Sequence, residues 1–130
     1  MRPRPTLLGL FILLAAGCGD AADQTAEVQG RVFYQGNPLE GGTIVFTPDA
    51  ARGGSGALAR AEIQSDGRFR LRTGDKNGAV PGWHRVTVAP AGPVGSPTRL
   101  LPSRYCDPEL SGKSIEVKPG QENSIDLYLE

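Results

Sequence analysis

After Glu27, apolar residues recur at every second position through most of the chain, the period of a half-buried β-strand. Val28, Val32 and Tyr34 share one face of a first strand, with Gly30 between them. Gly36-Asn37-Pro38 turns the chain, and Ile44 and Phe46 face inward on a second strand that Pro48 helps to end. Residues 50–56 are glycine-rich and predict a loop. Ala59, Ala61 and Ile63 make the inner face of a third strand. Ser65-Asp66-Gly67 predicts a tight hairpin turn, because glycine accepts the positive φ that such turns need, and Phe69 and Leu71 carry the inner face back. The same phase sends Arg68, Arg70 and Arg72 outward. Residues 75–82 predict another loop, after which His84, Val86 and Val88 alternate with Trp83, Arg85 and Thr87. Residues 90–104 form a long connection containing Pro and Gly. Ile115 and Val117 mark a late strand, Pro119-Gly120 a turn, and Ile125, Leu127 and Leu129 the last strand. No stretch carries a helix's apolar period. Seven short strands joined by turns predict an all-β fold, a β-sandwich.

The first 26 residues follow a different grammar. Arg2 and Arg4 form a basic start, residues 7–16 an apolar run, and small residues follow, the pattern of a signal peptide. The run is well short of the ~20 residues that span a bilayer as a helix. Leu14-Ala15-Ala16-Gly17-Cys18 resembles a bacterial lipoprotein lipobox, with Ala15 where Leu is most typical. That resemblance implies cleavage after residues 1–17, a lipid such as palmitate on Cys18, and a chain anchored in the cell envelope facing the periplasm or the cell surface. The alternative is an ordinary secretory signal cut near Ala16 or Gly17, leaving Cys18 free. Gly19 directly follows the cysteine and Asp20 comes one place later. In enteric bacteria an Asp immediately after the cysteine favours the inner membrane, so its absence here favours the outer. Residues 19–26 read as a linker reaching at most ~28 Å. The expected organisation is residues 1–17 signal, 18–26 lipidated cysteine and linker, and 27–130 a single domain.

Composition narrows the function. The signal carries two of the 14 basic residues and none of the 14 acidic ones, so the mature charge is about −2, which argues against a nucleic-acid partner. Eighteen glycines and 11 prolines suit a turn-rich β fold. About a hundred residues bury a modest two-sheet core without a disulfide. With Cys18 claimed by lipid, Cys106 is left alone, and a buried or semi-buried thiol is the expectation.

Four stretches, in this order and spacing, resemble a known family. They are Gly30-Arg31-Val32 through Gly36-Asn37-Pro38-Leu39 and Gly41-Gly42-Thr43-Ile44-Val45-Phe46-Thr47-Pro48; Asp66-Gly67-Arg68-Phe69-Arg70-Leu71; Gly78-Ala79-Val80-Pro81-Gly82-Trp83-His84-Arg85-Val86-Thr87-Val88; and Leu101-Pro102-Ser103-Arg104-Tyr105-Cys106-Asp107-Pro108-Glu109-Leu110-Ser111-Gly112. Together they resemble small lipoproteins, abundant in planctomycete-type bacteria, with a carboxypeptidase-regulatory-like, transthyretin-like domain. The resemblance implies a seven-stranded Greek-key β-sandwich and an envelope location, and no established activity. His84 stands where the family usually has Tyr, and Cys106 where a small residue such as Ser is commoner.

Candidate chemistry is sparse. With one His in the chain, a zinc site would need unusual ligands, and no metal or cofactor is expected. The histidine set and Tyr-Arg-Gly-Ser ending of transthyretin-like hydroxyisourate hydrolases are absent. A nucleophile–base pair of Cys106 and His84 lacks a third orienting residue, and His84 reads instead as a core-edge residue with hydrogen-bonded ring nitrogens. Asp75, Asp107 and Glu109 read as solvated loop acids without calcium-loop spacing. The chain is therefore expected not to be an enzyme. Its candidate binding residues are Trp83, Tyr105, Arg68, Arg70 and Arg72. Trp83 is either an exposed stacking platform at a loop edge or a ring covered by residues 90–104. The arginine stripe, with Arg60 beside it and Glu62 partly neutralising it, reads first as a solvated outer face and second as a surface for anionic lipid or an acidic glycan. The leading expectation is a non-catalytic, lipid-anchored interaction or structural module whose partners are the membrane and an envelope protein or glycan. The alternative is a glycan- or small-ligand-binding protein. Labelled palmitate should enter the wild-type protein and be lost in Cys18→Ala; equal label in both would remove the anchor.

Overall fold

The computed structural model describes Pro3, residues 24–92 and residues 101–130. Apart from Pro3, the segment expected as a signal (residues 1–17), Cys18 and residues 19–23 of the expected linker lie outside these, as do residues 93–100. Ten strands occur among the described residues: β1 (Val28–Tyr34), β2 (Asn37–Pro38), β3 (Thr43–Pro48), β4 (Ala59–Glu62), β5 (Arg68–Arg70), β6 (Arg72–Thr73), β7 (Lys76–Asn77), β8 (Gly82–Ala89), β9 (Ser114–Val117) and β10 (Asn123–Leu129). Two 3-10 turns, Ala50–Arg52 and Ser103–Cys106, lie between them. Among the described residues no helix is long and apolar enough to cross a membrane. The fold is all-β, with two sheets. The smaller joins β10, β1 and β2, with β5 also on β1, and the larger runs β7-β6-β4-β3-β8-β9.

The alternation explains the core. Ile44 and Phe46 of β3, His84, Val86 and Val88 of β8, Ala59 and Val117 turn inward from the larger sheet. Val28, Val32, Phe69, Leu127 and Leu129 meet them from the smaller one. Phe46 and Phe69 touch across the layers, ring centroids 6.4 Å apart and tilted by 43°, in the offset manner aromatic pairs favour. Interdigitation of two inner faces is how a sandwich buries its apolar area.

Three local expectations change. The first turn is Gln35-Gly36, both at positive φ (50° and 81°), so Asn37 and Pro38 already belong to the returning strand opposite Tyr34 and Phe33. The turn at Gly67 (φ 84°) exists, closed by Gly67 N–H to Gln64 O at 2.9 Å and Gln64 N–H to Arg68 O at 2.8 Å. Its arms nevertheless enter different sheets: β4 pairs with β3, and β5 pairs with β1. The chain then returns, because Arg72 of β6 pairs with Arg60 of β4. Leu71 sits at this corner, fully buried, its N–H on Val28 O (2.9 Å) and its C=O taken by Gly78 N–H (2.8 Å). Ala26 was expected in the linker. It is buried and exchanges both backbone hydrogen bonds with Ala79 at 2.9 Å, so the ordered domain begins before residue 27.

β1 and β10 run parallel through seven registered pairs, from Val28 with Asn123 to Tyr34 with Leu129. At Gly30 a Cβ would collide with the carbonyl oxygen of Ile125, so this central position of β1 admits only glycine. Asn123 locks the start of the pair. Its Oδ1 accepts from Lys118 N–H (2.9 Å), and its Nδ2 donates to the carbonyls of Lys118 (3.1 Å), Gln121 (3.2 Å) and Glu27 (3.3 Å). Asn123→Ala should cost ~1–3 kcal/mol in urea unfolding, whereas the exposed neighbour Ser124→Ala should stay within ~0.5 kcal/mol; equal costs would refute the clamp.

Candidate functional site

The corner at Leu71 bends the outer surface. β1, β5 and β10 of the smaller sheet meet β4 and β6 of the larger, and their outward residues line an open groove of about 1310 Å³. Five arginines reach it: Arg31, Arg60, Arg68, Arg70 and Arg72. Three carboxylates face them, Glu62, Asp75 and Asp126, so the lining keeps a cationic excess. Arg68, Arg70 and Arg72 lie in two sheets rather than one strand, yet the corner brings all three to one groove.

Several of these arginines are held in place. Arg68 Nε lies 3.4 Å from Asp66 Oδ2. Arg70 Nη2 donates to Gln29 Oε1 at 3.1 Å, and Gln29 Nε2 donates in turn to Glu122 Oε1. Arg72 Nη2 donates to Asp75 O at 3.1 Å. Arg31 differs, because its Nε is screened from solvent and has no hydrogen-bond partner. Arg60 stands directly across from Arg72 in the β4–β6 register, a like-charge pairing that costs stability. Arg31 lies in the outward phase of β1, and alternation alone could have flagged it beside the stripe.

Trp83 and Tyr105 part company. Trp83 is half-buried on the outward phase of β8, and Arg52 covers its ring with the guanidinium carbon 4.4 Å from the centroid. Asp49 organises this cover: buried, it lies 3.3 Å from Arg85 Nε and 3.8 Å from Arg52 Nε, and its N–H donates to Trp83 O at 2.9 Å. The cover within the described residues therefore comes from the 3-10 turn at residues 50–52, inside a stretch whose glycines alone predict a plain loop. Tyr105 is no platform. It lies in the core, and its hydroxyl donates to Glu130 O (3.1 Å) while accepting from Glu130 N–H (2.9 Å) and Arg104 Nη2 (3.0 Å). The 3-10 turn Ser103–Cys106 drives the ring inward against the end of β10, and both Trp83 and Tyr105 lie outside the groove.

His84 is buried, and Nε2 lies 2.7 Å from Val80 O. A carbonyl only accepts, so Nε2 carries the proton. Nδ1 is buried without a partner, where both ring nitrogens were expected to be bonded. The ring packs instead against Phe46, centroids 5.8 Å apart. Cys106 is free and exposed rather than buried, since the turn that sends Tyr105 inward sends its neighbour outward. Its thiol reaches Val88 O at 3.4 Å, four residues along β8 from His84 and so ~13 Å away along the strand. Among the described residues, no three His, Cys, Asp or Glu side chains are grouped to hold a metal ion. Asp107 caps its own turn, accepting from Glu109 N–H at 2.8 Å. Placed against known proteins, the chain matches no family model, no curated protein and no solved structure.

Burial opposes ionisation of the Tyr105 phenol, but the Glu130 backbone hydrogen bond, the hydrogen bond and charge of Arg104, and the charge of Lys113 outweigh it and lower its pKa below 10.0. An acid with a lowered folded-state pKa adds stability that is present above the unfolded value and is lost as pH falls through the folded one. Alkaline difference spectroscopy should show a phenol titrating below the usual tyrosine range. Tyr105→Phe should abolish that component and Arg104→Met should move it upward; an unmoved component would assign it elsewhere.

Proposed function

We propose that this chain is a non-catalytic binding module of the bacterial cell envelope, tethered by lipid on Cys18 after removal of residues 1–17, and that the arginine-lined groove is its binding surface. The observation that carries this reading is the groove itself. Five arginines against three carboxylates give the concavity a cationic excess that suits an anionic partner. We take the domain to be a seven-stranded Greek-key sandwich of the carboxypeptidase-regulatory-like, transthyretin-like kind, with the two-residue strands as edge additions. The sequence motifs quoted above support that assignment, and the all-β two-sheet architecture is consistent with it.

The lipid places the domain at its membrane, the outer one by the Gly19 criterion, and the short linker limits partners to near neighbours. No nucleic acid is proposed, because the exported chain is slightly acidic overall. Cys106 and His84 do not form a nucleophile–base pair: the Cys106 thiol bonds a backbone carbonyl, and His84 faces the core. A photo-crosslinking residue at Ser124, inside the groove, should capture an envelope partner in intact cells, and the capture should fall sharply in Arg60→Gln/Arg72→Gln. Capture no stronger than from a crosslinker at Leu110, outside the groove, would remove the proposal.

A further inference from the structure

Resting on the reading of the groove as a binding surface, we propose that its occupant is a linear acidic polysaccharide, with carboxylate or sulfate groups on the arginines and a sugar ring against Tyr128. The charge argument comes first. Five arginines outnumber three carboxylates along the groove, and Arg60 faces Arg72 across the β4–β6 pair. An anion at that pair offsets the like-charge contact. Guanidinium groups suit carboxylate and sulfate because their N–H donors form a planar fork.

Size and shape argue for a polymer. The groove holds about 1310 Å³ and is open to solvent. Enclosed sites for small ligands run from ~300 to ~1,000 Å³. Room for several sugar units without a closing wall fits a chain that passes through.

The third argument is aromatic. On β1 and β10 the outward phase that places Arg31 and Asp126 in the groove continues, ~7 Å further along, to Phe33 and Tyr128. Their rings stack with centroids 5.1 Å apart and planes within 11°. Tyr128 remains 60 % exposed at the edge of the smaller sheet, since β10 has a partner on one side only. A flat apolar ring carrying a hydroxyl matches the face of a pyranose. One sheet face thus offers a ring platform at one end and cationic forks beyond it.

A lipid surface fits less well. It is broad and flat, while the arginines lie in a concavity beside Glu62, Asp75 and Asp126. A chain with spaced charges can thread past those carboxylates.

The test uses the full chain reconstituted in neutral phosphatidylcholine vesicles without detergent. The probes are polygalacturonate, dextran sulfate, neutral amylose, and phosphatidylglycerol–phosphatidylcholine vesicles. Polygalacturonate or dextran sulfate should bind, with the stronger of the two identifying the preferred anion, and affinity should fall with added salt. Arg60→Gln/Arg72→Gln should weaken binding by about tenfold or more, and Tyr128→Ala by several-fold, with the native β circular-dichroism spectrum retained in both. Leu110→Ala should bind like the wild type. Equal binding of amylose, displacement of the polysaccharide by vesicles, or full affinity in Tyr128→Ala would each overturn the proposal. If neither acidic probe binds while Ser124 still captures a partner through the arginines, the polysaccharide is wrong and the module stands. If capture is lost as well, both fall.

Discussion

Leu71 gives one backbone hydrogen bond to each side of a corner: its N–H goes to Val28 in the smaller sheet, and its carbonyl serves Gly78 on the way into β8. A buried residue must satisfy both groups, and here the two partners lie on different routes through the fold. That requirement holds β5 against β1 while β4 and β6 stay in the larger sheet. The core depends on it, because Phe69 meets Phe46 only if β5 joins the smaller layer. The groove depends on it too, because its arginines arrive from both sides of the same corner.

Closure of the smaller sheet is a second, separable device. Parallel pairing of β1 with β10 joins residues 95 apart in the chain, and such pairing bears a loop-closure entropy before contacts offset it. Polar clamps hold both ends. Asn123 ties the turn after β9 to Glu27 at the entry, and the Tyr105 hydroxyl takes both backbone groups of Glu130 at the exit. Gly30 lets the middle of the pair approach as closely as it does.

The electrostatics of the groove are conditional. Exposed arginines beside carboxylates contribute little to stability in water, and salt screens them further. Their arrangement therefore has small structural value by itself. Gln29, Asp66 and the Asp75 carbonyl orient Arg70, Arg68 and Arg72, which reduces the side-chain entropy lost when an anion is met. Such orientation is what the proposed recognition of an anion would draw on.

Much of this protein was legible in its residue order. Alternation placed Val28, Val32, Ile44, Phe46, Phe69, Leu71, Val86, Val88, Leu127 and Leu129 inside, because the two-residue period of a strand fixes which face each side chain takes. The same period put Arg68, Arg70 and Arg72 outside. What it could not convey was which strands pair. A local turn at Gly67 looks the same whether its arms form one hairpin or separate into two sheets, and only the long-range partners of β4 and β5 decide. Tyr105 and Cys106 turned opposite ways from expectation for a related reason: a single 3-10 turn has no repeating phase, so direction comes from what packs against it. The period of the chain thus determined inside and outside, while long-range backbone pairing alone decided that arginines distant in sequence, from Arg31 to Arg72, would share one groove.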